Sequence, residues 1–295
     1  MIQLDAATVL LQWSVGGLAF LWVTTRGRLL GIGYGWLMRA IFIAFAVGSI
    51  ASGLAIDFLP VREASSVGVV AASGVALVVS ITRRRAGVSA ARNLAGARQE
   101  RVATMLDKTN PATHDVNLDN QLAGPEFPPV LDAVAPVIGL VGLIAAGWAD
   151  ARSGGAGTHL LSVARIVVGA AFLGSVTDAM LLGHWYLVQP GLPRAPLFEL
   201  NAWVARIWPF EVALLLVPTG MFSVFSGSID DGYGGMLGWF WIACAVFTIV
   251  LCVVTNAALK ERSYSAVMAA TGLLYLAILT AFGTDLVARA VLASP

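Results

Sequence analysis

The chain has 295 residues, of which 58% are hydrophobic and only 12% are charged, and its mean hydropathy is +0.81. Soluble domains hold roughly 45–50% apolar and about 25% charged residues, so this composition excludes an ordinary soluble domain and indicates an integral membrane protein. A net charge of +1 gives no reason to expect a nucleic-acid partner, and two cysteines, Cys244 and Cys252, are too few for a disulfide framework.

The N-terminal apolar segment has no basic residue before it, and Arg26 and Arg28 follow it. A cleaved signal peptide has the opposite arrangement, with its positive charges on the N-terminal side. We therefore expect an uncleaved first helix whose N-terminus lies outside the cytoplasm.

Apolar runs long enough to cross the hydrocarbon core, about 20 residues each, occur eight times along the chain. The sequence therefore predicts an all-α protein, a polytopic integral membrane bundle of about eight transmembrane helices. The predicted spans are 7–25, 36–55, 65–82, 129–148, 163–188, 208–225, 237–259 and 264–287.

Basic residues follow every odd-numbered predicted helix, and few follow the even-numbered ones. Because Lys and Arg in short loops stay on the cytoplasmic side, both termini are predicted to be extracytoplasmic, in a bacterial cytoplasmic membrane. We expect one membrane domain overall, with helices 1–3 in residues 1–82, a cytoplasmic segment in 83–128, and helices 4–8 in 129–295.

The cytoplasmic segment begins with apolar residues at helical spacing, interleaved with the basic residues Arg92, Arg98 and Arg101. This pattern predicts a basic amphipathic helix on the membrane surface, followed by a proline-broken loop. The helix is interpreted either as held by anionic membrane lipids or as the docking site for other subunits of a membrane complex.

Asp178 is the most deeply placed acid of the predicted spans. If Arg165 snorkels at the outer end of helix five and Pro190 ends it, Asp178 lies about 20 Å from Arg165 along the axis. An ionisable residue at such depth costs about 2.5–3.5 kcal/mol to insert, and it usually faces the bundle interior and has a function. We expect Asp178 to handle protons, the alternative being a structural hydrogen bond to another helix.

Glu211 is predicted to be a second proton-handling acid. The polar stretch before Pro209 is expected to lie along the interface, which puts Glu211 one turn below the cytoplasmic boundary. Arg206 is then a ligand-binding residue, a partner of Glu211 across the proline kink, or a contact for a phospholipid headgroup.

His184, Trp185 and Tyr186 are interpreted as ligand-binding residues, with an aromatic belt at the membrane interface as the alternative. Together with the acids, they supply the aromatic group, hydrogen-bond donor and proton acceptor that a quinone site needs. Haem is the weaker cofactor, because His114 and His159 are predicted on loops on opposite faces. The sequence has neither a metal-ligand spacing nor a nucleophile–base pattern, so no metal site and no catalytic residue is predicted.

Polar residues of other helices are predicted to join these groups: Arg39, Asp132, Thr255 and Asn256. All lie toward the cytoplasmic ends of their predicted helices, so we expect the charged residues of the membrane to converge in its cytoplasmic half.

These features favour an integral membrane subunit of a respiratory or other electron-transfer complex, with a quinone-proximal or proton-handling site in the cytoplasmic half of the bundle. Such a chain is an accessory subunit rather than an enzyme alone. The alternatives are a proton-coupled transporter or channel for a small solute, and a structural or assembly subunit without chemistry.

Overall fold

The computed structural model describes residues 5–84, 125–151, 155–189, 192–217, 220–261 and 263–293. Within these ranges the chain forms nine α-helices and no β-strand, as the sequence predicts. The helices are α1 (Ala6–Thr25), α2 (Ile32–Ala55), α3 (Pro60–Thr82), α4 (Leu131–Asp150), α5 (Ala156–Val188), α6 (Ala195–Leu216), α7 (Met221–Phe225), α8 (Met236–Lys260) and α9 (Tyr264–Ala293). The predicted amphipathic helix with Arg92, Arg98 and Arg101 lies outside the described residues.

Seven of these helices, all except α6 and the short α7, are long and apolar enough to cross a membrane. Their number and length indicate an integral membrane protein. Helix α6 is also long, at 22 residues, but it carries the charged residues Glu199, Arg206 and Glu211.

The predicted boundaries of the sixth span, 208–225, are wrong. Helix α6 begins at Ala195, and Pro196 lies in its first turn, where a missing amide hydrogen leaves no helical bond unmade. Pro209 lies inside α6 without ending it, because one lost backbone hydrogen bond is tolerated in a helix packed among others. The residues up to Phe225 belong to the separate helix α7.

The long helices form two groups of four. In the first bundle, α1 packs on α2, α2 on α3, α3 on α4 and α4 on α1. In the second bundle, α5 packs on α6, α6 on α8, α8 on α9 and α9 on α5. Helix α5 also packs on α1 and α4, so it joins the two bundles and contacts helices on both sides.

Two glycines bring α1 and α5 into close contact. A Cβ atom at Gly16 would lie 1.8 Å from the Ala170 carbonyl oxygen, and one at Gly174 would lie 2.1 Å from the Gly16 carbonyl carbon. No side chain fits at either position, so these glycines let the two helices approach closely.

The bundle has a basic end, where α1, α3, α6 and α8 present basic residues near its surface. There Arg28 forms an ion pair with Glu126 at 2.8 Å, and Arg194 donates to the Leu259 carbonyl at 3.0 Å. The opposite, acidic end holds Asp5, which caps α1 through the amides of Ala7 and Thr8. The basic residues that follow alternate helices in the sequence therefore lie together at one end of the bundle.

Candidate functional site

Asp178 lies in the interior, on the face of α5 that meets the first bundle. Its side chain is 0% exposed, and neither carboxyl oxygen has a hydrogen-bond donor. Tyr34 of α2, which is also 0% exposed, lies within electrostatic reach of Asp178, and its hydroxyl interacts with the Thr24 side chain. The neighbouring Thr24 hydroxyl is engaged with the Leu21 carbonyl at 2.8 Å.

Buried polar groups in proteins are almost always hydrogen-bonded, so a buried carboxyl group without any donor requires an explanation. The structural role that we considered for Asp178, a hydrogen bond to another helix, is not formed by the described residues. The arrangement is suited to a group that gains and loses a proton, or that binds water.

A second group of charges lies toward the acidic end of the second bundle. This charged cluster consists of Arg165 from α5, Glu211 from α6, and Asp285 and Arg289 from α9, all of them buried. The Arg289 Nε lies 2.8 Å from Asp285 Oδ1 and 2.9 Å from Oδ2. Glu211 lies within electrostatic reach of the other three residues. When both acids are ionised, the two positive and two negative charges of the cluster balance.

Within the charged cluster, the carboxyl groups of Glu211 and Asp285 approach within hydrogen-bonding range. No N–H or O–H group of the described residues donates to either oxygen of Glu211. Two carboxyl groups can form a hydrogen bond only if one of them carries a proton. A proton between Glu211 and Asp285 would therefore be needed to join the two groups by a hydrogen bond.

Gly169 of α5 makes room for this cluster. A Cβ atom there would lie 2.9 Å from Arg289 Nη2, 3.1 Å from Gln12 Nε2 and 3.2 Å from Asp285 Oδ1. Gln12 of α1 thus borders the cluster, and its amide donates to the Ile166 carbonyl at 2.7 Å. The charged cluster is in this way connected to the first bundle through α1.

The predicted convergence of the charged residues in one layer is wrong. Glu211 stands 16 residues after the start of α6, about 24 Å along its axis, and it lies beside Arg165 and Arg289 near the acidic end. The error follows from the misplaced start of the sixth helix. Asp178 and Glu211 therefore belong to two separate sites at different depths.

Two of the proposed roles for arginines are also wrong. Arg165 does not snorkel outward: it is 8% exposed and donates to the carbonyls of Leu214 at 2.8 Å and Val217 at 3.1 Å. Arg206 does not pair with Glu211, because Arg206 is exposed and Glu211 is buried. Its guanidinium lies 5.7 Å from the centre of the Trp203 ring.

Arg39 and Asp132 do not join Asp178 but pair with each other. The Arg39 Nε and Nη2 atoms donate to the two Asp132 oxygens, both at 2.8 Å, and the Thr25 hydroxyl donates to Asp132 at 2.9 Å. The Arg39 guanidinium also lies 4.4 Å from the centre of the Phe127 ring. This saturated ion pair fastens α2 to α4.

His184, Trp185 and Tyr186 lie near the C-terminal end of α5, and each has a partner. His184 Nδ1 lies 3.0 Å from the Tyr275 hydroxyl on the exposed surface of the bundle. Trp185 donates to Gln189 at 3.2 Å, and the Tyr186 hydroxyl donates to the Pro193 carbonyl. His184 faces the exposed surface, whereas Tyr186 is buried. The Trp185 ring lies 6.1 Å from the Tyr34 ring, centre to centre, and Tyr34 is within electrostatic reach of both Asp178 and Tyr186.

Sequence reasoning missed Asp285 and Arg289, and it misplaced His159. The signal for the first two was present, since an acid and an arginine four residues apart share one face of a helix. We ended the last predicted helix at residue 287, which separated the pair. His159 lies in the first turn of α5, not in a loop, with its Nδ1 2.8 Å from the Trp148 carbonyl oxygen.

Among the described residues, no group of three or more His, Cys, Asp or Glu side chains is placed to hold a metal ion. Comparisons with known protein families, with curated proteins and with solved structures find no significant match to this chain.

Proposed function

We propose that this protein carries protons through the interior of a bacterial cytoplasmic membrane, using Asp178 on one side and the Glu211–Asp285 pair on the other. The observation that supports this proposal best is the complete burial of Asp178 without a hydrogen-bond donor. Ionisable residues at such positions are retained in membrane proteins mainly where protons or ions move.

The proposal includes an eighth membrane span. Helix α6 runs antiparallel to α8, because Asn201 donates to the Cys252 carbonyl at 2.9 Å and Trp208 donates to the Ala245 carbonyl at 2.8 Å. Helix α6 therefore lies alongside α8, which is long and apolar enough to cross the membrane. The mean hydropathy of α6 is lower because α6 contains charged residues. With eight spans and the basic end in the cytoplasm, both termini are extracytoplasmic.

The acidic end provides access to the charged cluster. A cavity of about 170 Å³ opens there, lined by Asp5, Asp57, Arg62, Asp150 and Ile166, among others. The carbonyl of Ile166 accepts from Gln12, which borders the cluster. Protons would thus reach Glu211 and Asp285 from the extracytoplasmic side.

The two sites are too far apart for direct transfer. Gly169, beside the charged cluster, and Asp178 are nine residues apart on α5, about 14 Å along the helix axis. We therefore expect water molecules to connect them at least transiently, as in other proton pathways where the donor and acceptor do not touch.

We favour a proton-handling subunit of a respiratory or other electron-transfer complex over a proton-coupled solute transporter. The cavity at the acidic end, about 170 Å³, is smaller than the roughly 300–1,000 Å³ of sites that enclose small molecules. A larger cavity of about 750 Å³ is lined by residues of α7, of the loop before α8 and of the start of α8, and not by Asp178 or the charged cluster. A purely structural subunit would be expected to pair its buried charges, which Asp178 does not do.

Proton movement into liposomes tests this proposal. The purified protein is reconstituted with an internal pH-sensitive dye, and a potassium diffusion potential drives protons inward. We expect faster acidification than in empty liposomes, and at least about a tenfold lower rate for Asp178→Asn, a change of about 1.4 kcal/mol in the barrier. Glu199→Gln is the matched control, since Glu199 is a partly exposed acid paired with Arg26.

Equal rates for the wild type and Asp178→Asn would contradict the role of Asp178. Flux that appears only when other subunits co-purify would favour the complex over the transporter. Flux that requires an added solute would favour the transporter.

Quinone binding remains a second candidate function, supported by the His184–Tyr275 pair. These two hydrogen-bonding side chains meet at the exposed surface near the basic end, where a quinone headgroup dissolved in the membrane could accept a hydrogen bond from one of them. We expect quinone in the lipid extract of the purified protein, and less of it for His184→Leu. Equal quinone content in both preparations would contradict this role.

A further inference from the structure

The exposed residues of the second half of α6 lie on one face of the helix. They recur at intervals of three and four residues, at Arg206, Pro209, Phe210 and Ala213, and Phe210 is 66% exposed. This outer face of α6 lies away from the helices that pack on α6, which are chiefly α5 and α8.

Arg206 stands at the middle depth of the bundle. The hydrogen bonds from Asn201 to Cys252 and from Trp208 to Ala245 set the register between α6 and α8, which places Arg206 opposite the centre of Met236–Lys260. It is eleven residues from Ala195 and ten from Leu216, about 15–17 Å from either end of α6. Arginines that snorkel to a headgroup lie near helix ends.

Arg206 has no carboxylate partner within the part of the chain that the structure describes. Its one recorded contact is with the Trp203 ring, 5.7 Å from the guanidinium carbon. Three buried arginines of the spans behave differently. Arg39 and Arg289 bind acids at 2.8 Å, and Arg165 donates to two backbone carbonyls. With α6 as a membrane span, as proposed above, the Arg206 guanidinium faces hydrocarbon at a cost, and no acid of the described residues pairs with it.

We propose that the outer face of α6 binds a transmembrane helix of another protein that presents an Asp or Glu at mid-depth. A second copy of this chain does not meet that requirement. In the described residues, the acids deep in the spans are buried, and two copies facing each other across this surface would bring two Arg206 side chains together.

Pro209 adds a second polar group to the same surface. Because proline has no amide hydrogen, the carbonyl of Ala205 loses its partner within the helix. A partner helix with an acid and a hydroxyl one turn apart could satisfy both Arg206 and this carbonyl. Phe210 and Ala213 supply the apolar contact around them.

A pair of synthetic transmembrane helices tests the proposal. Each is a leucine-rich peptide of about 20 residues, and the two differ only at the central position, which is Asp in one and Leu in the other. Association with the donor-labelled protein in liposomes is measured by energy transfer to an acceptor on the peptide. We expect the Asp peptide to bind about tenfold more tightly than the Leu peptide.

The preference should disappear in both Arg206→Leu and Arg206→Gln, which alter an exposed side chain and should leave the melting temperature unchanged. It should persist in Arg26→Leu, the control, which removes an arginine from the basic end. Equal binding of the two peptides to the wild type, or a preference that survives both Arg206 variants, would overturn the proposal. Energy transfer between labelled copies of the protein that is lost in Arg206→Leu would overturn it in favour of self-association.

Discussion

Asp132 and Asp178 are both buried aspartates in the half of the bundle toward the basic end, but their surroundings are opposite. Asp132 accepts two hydrogen bonds from Arg39 and one from Thr25, all at 2.8–2.9 Å. Asp178 accepts none, and its polar neighbour Tyr34 interacts with Thr24.

The two aspartates differ in role: Asp132 belongs to a structural ion pair, whereas Asp178 has no partner that would give it a structural role. A carboxylate that is saturated by a guanidinium and a hydroxyl is fixed as an ion and holds helices together. A carboxyl group without donors does not hold helices together in this way. Its presence in an apolar interior is best explained by a functional role, such as the binding and release of a proton. The charged cluster lies between these extremes, with Asp285 bound to Arg289 and Glu211 left without a donor.

Arg39→Met should have the largest effect on stability. It leaves Asp132 buried without its charge partner, and breaking a buried ion pair in this way lowers the free energy of unfolding by about 3–5 kcal/mol. Unfolding in mixed detergent micelles measures the loss. The double variant Arg39→Met with Asp132→Leu should recover most of it, and no recovery would show that the charge pairing is not the cause.

Asp178→Leu should have little effect on stability or should increase it, because it replaces a carboxyl group without donors by an apolar side chain of similar size. The same unfolding assay compares the change in the free energy of unfolding with that of Arg39→Met. A loss as large as that of Arg39→Met would show that Asp178 is a structural residue and would remove the contrast with Asp132.

Tyr34→Phe should slow proton transfer less than Asp178→Asn does, by about threefold to tenfold, since it removes a hydroxyl that can relay a proton to Asp178. The liposome acidification assay measures the rate. Its matched control is Tyr233→Phe, because Tyr233 is exposed in the loop before α8. A rate equal to that of the wild type would place Tyr34 outside the path.

Asp231→Asn should produce the smallest change. Asp231 is exposed and caps α8, and hydrogen bonds from the backbone amides of Gly235, Tyr233 and Leu237 lower the pKa of its carboxyl below the ordinary 3.8. Because the folded pKa is the lower one, this cap stabilises the protein fully above about pH 4, and the contribution disappears as the pH falls through the folded pKa. Melting temperatures of the two proteins should therefore converge in acid, and a constant difference would contradict this explanation.

The sequence predicted the helical class and most of the spans because apolar runs of membrane-crossing length are unambiguous. It failed at α6, where charged residues and Pro209 concealed a continuous helix. That single error moved Glu211 to the wrong end of the bundle and hid its contact with Asp285. The partners of the buried charges were not predictable either, because Arg39 and Asp132 are 93 positions apart, and only the packing of α2 on the other helices of the first bundle brings them together.

The burial of Asp178 could be predicted from its depth, but its lack of donors could not. Sequence gives the position of a residue along a helix and not what stands opposite it. Arg206 shows the same limit: its spacing of five from Glu211 left a pairing open across a kink, whereas the structure places the two on different faces of α6.

The central claim is that Asp178 exchanges protons, whereas Asp132 serves to hold α2 and α4 together through its ion pair with Arg39. Infrared difference spectra of the protein in liposomes, recorded as the external pH is changed, report directly on carboxyl groups that gain or lose a proton. We predict that the wild-type protein shows a pH-dependent carboxyl band. This band should be absent in Asp178→Asn and unchanged in the double variant Arg39→Met with Asp132→Leu. A band that persists in Asp178→Asn and is lost in the double variant would contradict the account.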